Sequence, residues 1–427
     1  MKQMLTLIFT LLCFTSCSFI EDFGLTECVA KSYSVKKREW TMMYYMAADN
    51  NLESDAINDI NVLESLDFEQ KNVSAVCLID RSVRHDETNA NWSGTRLYEI
   101  SKDIDGENGI IVSQERESDT LALTLDTPTK LNMADGRNLQ RFLEYCYENY
   151  PAEHYALVLW GHSGGYKTMF FDDFSSDTMP LVELKTSIEN SFINNSVNKL
   201  DLVCFNSAFS CNLETIWELR NITDTIFASV DGVNSTGIDY KTIFSQYLSS
   251  PIENQNLVDN FASQQKNSLV FTNNVVEVQD AFNRLAKVLV DYIKNDVSLS
   301  ILKKIFLEDT KSYIASTLPA DKFLSIYDVC LQIEQNIDSL TSDSMKKNEI
   351  LSIVEELKTA ITTCVKGSGE ISVFLTTILK DGILSAGFDT DYVQGSNSFE
   401  QIDFIEDTNW WTPTKDRKSS LLDTLFF

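Results

Sequence analysis

The sequence predicts an α/β fold with a mainly parallel sheet covered on both faces, plus a largely helical C-terminal extension. Three observations carry this. Strand-like apolar runs alternate with amphipathic stretches from residue 40 to about 230. One run, VSAVCLID (73–80), is almost continuously apolar, as a strand buried on both faces requires. From about residue 251 the rhythm changes to long amphipathic stretches at 276–310, 322–338 and 344–365.

Taken in order, the chain begins MKQMLTLIFTLLCFTSC. Lys2 precedes an apolar run from Leu5 to Phe14, about half the ~20 residues that span a bilayer. Small polar residues follow, so residues 1–17 are expected to be an export signal. Phe14-Thr15-Ser16-Cys17 resembles a bacterial lipoprotein signal, which implies a lipid anchor on Cys17 in the cell envelope. Residues 18–38 are polar and mixed in charge and read as a tether. A first strand, WTMMYYMAA (40–48), ends in Asp49-Asn50-Asn51, a turn and helix N-cap. Leu52, Ala56, Ile60 and Leu63 then share one helical face. After VSAVCLID, TRLYEI (95–100) alternates as an edge strand would. The helix at 136–150, the strand YALVLW, a helix at 182–192, the strand LDLVCF (200–205), a helix at 211–220 and the strand TIFASV (225–230) follow. Right-handed crossovers place the strand ends 161–165 and 206–210 on one carboxyl edge, where ligand sites of open α/β sheets form. Residues 39–250 are thus one α/β domain and 251–427 a helical accessory region with C-terminal strands.

The 427 residues include 35 basic and 63 acidic ones, a net charge of −28. A surface this acidic repels phosphate backbones, which excludes nucleic acid as a partner. Nine cysteines are present. Beyond Cys13 and Cys17, those at 28, 77, 146, 204, 211, 330 and 364 are odd in number and show no C-x-x-C spacing. Neither a zinc site nor a dense disulfide framework is implied.

Gly161-His162-Ser163-Gly164-Gly165 fits the G-x-S-x-G nucleophile elbow, which would make Ser163 a serine hydrolase nucleophile. That chemistry needs a histidine after the serine, yet His85, His154 and His162 all precede Ser163. The following YKTMFFDDF is β-prone and opens no helix. A histidine at a strand end is also where a cysteine protease places its base.

WTMMYYMAADNNLE, LNMADGRNLQRFLEYCYENYPAEHYALVLWGHSGGY and FDDFSSD together resemble the clostripain family of cysteine peptidases, in order from about Trp40 to Tyr240. The resemblance implies a caspase-like αβα sandwich with a His–Cys dyad at two adjacent strand ends and a preference for a basic residue before the scissile bond. It allows calcium; no other cofactor is expected. His162 matches the catalytic histidine. The nucleophile segment, approximately D-A-C-L-M in the family, aligns with Asn206-Ser207-Ala208-Phe209-Ser210, which puts Ala208 at the cysteine's position. Asn206 stands where the family has an acid that helps bind a basic side chain, and Thr236 where it has a second. Ser163 replaces the glycine that helps form the oxyanion hole.

These departures lead to a non-catalytic homologue that binds a peptide or protein at the former cleft. A methyl group cannot attack a carbonyl, and losing the nucleophile of a serine protease costs on the order of 10⁶ in rate. The alternative is an active cysteine endopeptidase of altered specificity with Cys211 as displaced nucleophile, one helical turn beyond Ala208, roughly 5 Å away. Ser207 is a further candidate, adjacent but pointing elsewhere.

Overall fold

The computed structural model describes residues 37–82, 84–125, 129–193, 195–234, 237–241, 267–292, 296–314, 321–376, 378–380, 383–385 and 421. The expected signal and Cys17, and Thr236, lie outside them.

The first strand, β1 (Arg38–Ala48), begins earlier than the apolar pattern indicates. Arg38, assigned above to the tether, donates its backbone N–H to Pro151 O at 2.9 Å. Next come α1 (Glu53–Glu64), β2 (Val73–Arg81), β3 (Gly94–Glu99) and β4 (Gln114–Arg116). Then follow α2 (Gly136–Asn149), β5 (Ala152–Trp160), the β6–β7 hairpin (Met169–Asp172, Asp177–Met179), α3 (Leu181–Phe192), β8 (Leu200–Asn206), α4 (Leu213–Leu219) and β9 (Thr223–Ser229). Later elements are β10 (Asn267–Phe271), α5 (Val275–Tyr292), α6 (Asp296–Lys304), β11 (Ser312–Ile314), β12 (Asp321–Ser325), α7 (Ile326–Leu340), α8 (Ser344–Cys364), β13 (Val365–Gly367) and β14 (Ser372–Thr376).

Among the described residues the main sheet has nine strands in the order β13-β10-β9-β8-β5-β1-β2-β3-β4. Its centre, β9-β8-β5-β1-β2, is parallel. Both flanks are antiparallel. TRLYEI is therefore not the edge: the three residues of β4 pair outside it. Strands β10 to β14 divide between two sheets. β10 and β13 extend the main sheet, while β14 joins β11 and β12 in a separate one. Residues from Lys37 onward form one compact unit.

β1 shows why the sheet is covered twice. Met43, Tyr45 and Ala47 enter one apolar cluster with α2, α3 and α4, whereas Met42, Tyr44 and Met46 enter a second with α1. The period of two sends alternate residues to opposite faces, so a strand buried on both must be apolar throughout. This is the mixed α/β sandwich the sequence predicts.

The chain leaves β1 toward β2 on one side and, by way of β5, toward β8 and β9 on the other. A crevice opens at such a reversal beyond the carboxyl ends of the strands. Asn51 follows β1, His162 follows β5 and Ala208 follows β8, three neighbouring strands.

Candidate active-site cleft

A cleft of about 550 Å³ opens at this edge, with Trp160, His162, Ser163, Asn206, Ala208 and Gly237 among its lining residues. Trp160 pairs in register with Asn206. His162 and Ala208 each lie two residues beyond that pair, so the two loops present them at the same level. The structure thus brings together five of the residues singled out from the sequence: His162, Ser163, Asn206, Ser207 and Ala208.

The half-buried His162 ring has its Nε2 2.7 Å from Asn51 Oδ1. An amide oxygen can only accept, so Nε2 carries the hydrogen and Nδ1 keeps its lone pair. Burial lowers the His162 pKa below the ordinary value, partly opposed by the negative charge of Asp173. The ring is neutral at pH 7. The His162 carbonyl accepts from Phe170 N–H at 2.9 Å, which ties this loop to β6. Asn50 supports the same edge, donating Nδ2 to Ala47 O and Phe171 O, both at 2.9 Å.

Ser163 Oγ accepts from Gly165 N–H at 3.0 Å and closes a local turn. Gly165 has φ +82°, and a Cβ there would meet Phe323 Cζ at 2.3 Å. No helix follows Ser163; a short 3₁₀ turn leads into β6. The strand-to-helix geometry of a serine hydrolase elbow is absent at this position.

Cys211 does not share the cleft. The helical-turn spacing assumed for it fails because α4 starts only at Leu213. Phe209, at φ +54°, turns the chain between Ala208 and Cys211. Fully buried, Cys211 has its Sγ 3.5 Å from Glu370 O. Burial pushes the thiol up to about 12. Ser207 Oγ pairs with Ser210 Oγ at 2.8 Å, within the buried turn.

Beneath the cleft lies a network that the sequence reading missed. Asp59 of α1 is buried, and its Oδ2 accepts from Trp160 Nε1 at 2.7 Å and from Asn206 Nδ2 at 3.2 Å. Asn206 Nδ2 also donates to Tyr240 OH at 2.8 Å. Burial pushes the Asp59 carboxyl up to about 8, against the hydrogen bonds that favour its charge. In sequence Asp59 is one acid among several on α1, indistinguishable from a solvated face. The pairing of β5 with β8 gives it meaning.

A second acidic group, Asp49, Asp80 and Asp172, lies at the ends of β1, β2 and β6, with ligand atoms within 4.8 Å of one another. Lys130 Nζ sits 2.8 Å from Asp49 Oδ2 and 3.3 Å from Asp80 Oδ2. Thr95 Oγ1 donates to Asp80 Oδ1 at 2.6 Å, and Met133 and Ser175 N–H groups donate to Asp172. The ammonium pairs with two of the three carboxyls and supplies one positive charge among them. These residues do not fit calcium without displacing the Lys130 ammonium.

The fold and this edge can be compared with known proteins. The family model described as the Clostripain family matches residues 44–416. Clostripain of Hathewaya histolytica is 28% identical over 242 residues, covering 52% of this chain and 44% of its own length. The chain thus spans less than half of that relative. A C11 protease from Parabacteroides distasonis, solved as an inactive zymogen, matches with a TM-score of 0.58 at 14% identity, covering 88% of this chain and 99% of its own. A secreted C11 cysteine protease from Bacteroides thetaiotaomicron, solved with an irreversible peptide inhibitor, gives a TM-score of 0.53 at 14% identity, covering 87% and 99%. The structural likeness shows a shared fold, and the family match runs through every strand end that lines the cleft: this chain belongs to the clostripain family.

Proposed function

We propose that the chain is a non-catalytic clostripain homologue whose cleft binds a peptide or protein. The carrying observation is Ala208, which lines the cleft one strand over from His162 at a matching level. A nucleophile must approach its target within about 3–3.5 Å, and a methyl group offers none. The described lining residues include no cysteine. The burial of Cys211 and its raised pKa argue against a displaced thiolate, since the thiolate is the nucleophile. Ser163 and Ser207 both spend their hydroxyls on local turns.

The binding reading rests on what is retained. The cleft still carries an oriented neutral imidazole, apolar walls from Leu52, Trp160 and Phe209, and a polar floor. A related C11 protease accommodates a peptide inhibitor. Export is part of the proposal: that relative is secreted, and the N-terminal signal pattern agrees, with Cys17 as the anchoring residue in the cell envelope.

The test is labelling by a peptidyl acyloxymethyl ketone, which requires a live thiolate. The expected result is no adduct after prolonged incubation. An adduct mapped by mass spectrometry to Cys211 would establish the active alternative instead.

A further inference from the structure

We propose that the pocket beside His162 selects an uncharged side chain ending in a hydrogen-bond donor, the primary amide of glutamine or asparagine. This rests on the peptide-binding reading above and names the kind of peptide. The argument starts from the fixed orientation of one amide. Both N–H bonds of Asn206 Nδ2 are engaged, by Tyr240 OH at 2.8 Å and Asp59 Oδ2 at 3.2 Å. Its Oδ1 accepts from no described group, and the residue lines the cleft at 6% exposure. The floor therefore presents a locked acceptor.

Gly237 lies against the same amide and leaves no room there for a side chain of its own. A Cβ there would lie 2.7 Å from Asn206 Nδ2 and 3.0 Å from Oδ1. At φ +61° the position also suits glycine.

The same atoms disfavour a cation. A desolvated ammonium or guanidinium needs a counter-charge, and Asn206 supplies a dipole instead. Asp59 is the carboxyl behind the floor, but its Oδ2 already takes two donors, and burial raises it to about 8. Asp231 also lines the cleft, with its Oδ1 accepting from Gly232 N–H at 2.7 Å in its own loop. An apolar side chain of similar length would cover Asn206 Oδ1 without pairing it. Leaving a buried acceptor unpaired is the stronger penalty.

The measurement is fluorescence anisotropy of the full chain with labelled pentapeptides that differ at one position: glutamine, methionine, lysine or glutamate. Glutamine is expected to bind about tenfold more tightly than methionine or lysine, the scale of one net hydrogen bond at a neutral site. Binding of the lysine or methionine peptide at least as tight as glutamine overturns the amide assignment while leaving peptide binding intact. Failure of all four to bind overturns peptide binding, and this proposal with it. The variant Asn206→Leu, checked for folding by circular dichroism, should erase the advantage of glutamine over methionine. If the advantage survives, Asn206 is not the selecting group. The double variant Asn206→Asp, Asp59→Asn, which leaves one carboxyl in the pair, should shift preference toward lysine, and an unchanged ranking there also counts against the proposal.

Discussion

The Nε2 of His162 lies 2.7 Å from Oδ1 of Asn51, so the turn after β1 fixes the tautomer of the residue after β5. The sequence reading gave the Asp49-Asn50-Asn51 stretch the task of capping α1. The N-cap of α1 is instead Leu52, which makes no side-chain capping bond, and Asn50 closes the turn before it, its Oδ1 accepting from Leu52 N–H at 3.0 Å. That frees Asn51 to reach across the strand end to the ring.

Nitrogen NMR of His162 should therefore show an unprotonated Nδ1 and a protonated Nε2 at pH 7, with titration below the ordinary histidine range. The variant Asn51→Ala should give a mixture of tautomers in an otherwise folded protein. A wild-type ring protonated on Nδ1 would contradict the assigned geometry.

Gly165→Ala should destabilise the protein by about 2 kcal/mol or more, through overpacking against Phe323 and the positive φ. Denaturant unfolding measures this. Phe323→Leu in the same chain should recover part of the loss, because it clears the ring that the new methyl meets. A strictly additive double mutant would mean that Phe323 is not what the methyl strikes.

The contrast between these loops shows where sequence was informative. The interior strands were legible because burial on both faces demands unbroken apolar runs, as in β2, where every residue is buried. β4 and β13 were not: three residues each, their pairing depends on neighbours distant in the chain. Asn206 and Ala208 could be expected at the carboxyl edge because they end an apolar strand, and both line the cleft there. Cys211 was misplaced because the sequence does not show that Phe209 takes a left-handed conformation before α4 starts. Asp59 was overlooked because a carboxylate on an amphipathic helix carries no mark of the strand ends it will meet.

Asp59 predicts a pH dependence of stability. Its folded pKa, about 8, is raised above the ordinary 3.8. Between those values the folded state binds the proton more tightly than the unfolded chain. Stability should fall as pH rises through this window, with a limiting slope of about 1.4 kcal/mol per pH unit for one linked proton. Asp80, raised to about 7, adds a term of the same sign. Asp59→Asn keeps an acceptor for Trp160 and Asn206 but removes the titration. The variant should have a flatter melting-temperature profile from pH 5 to 8 and match or exceed wild type at pH 8. A profile parallel to wild type would show that Asp59 is not the titrating group.

The same carboxyl determines how a peptidase could be rebuilt here. Ala208→Cys puts a thiol at the cleft beside a neutral, oriented imidazole, and the acyloxymethyl ketone should label it slowly. Turnover of arginine or lysine substrates should stay poor, since in the proposed reading Ser163, Asn206 and Thr236 depart from the family as well. Adding Ser163→Gly, Asn206→Asp and Thr236→Asp supplies those groups, but the new acid at 206 would stand against Asp59, whose Oδ2 now lies 3.2 Å from Asn206 Nδ2. Two carboxyls this close share one proton, so the pocket acid is only partly ionised at neutral pH. Adding Asp59→Asn removes the competitor and returns a donor to the pair. It should raise kcat/KM for basic substrates on the order of tenfold over the quadruple variant, the effect of lowering the acid's pKa by about one unit. It should also move the acidic limb of the pH profile downward. A folded quintuple variant that turns over no basic substrate would show that residues 206–208 do not sit where nucleophile and pocket acid must be. An Ala208→Cys single variant that already cleaves efficiently would show that the other substitutions are neutral and that a missing sulfur alone separates this chain from its relatives.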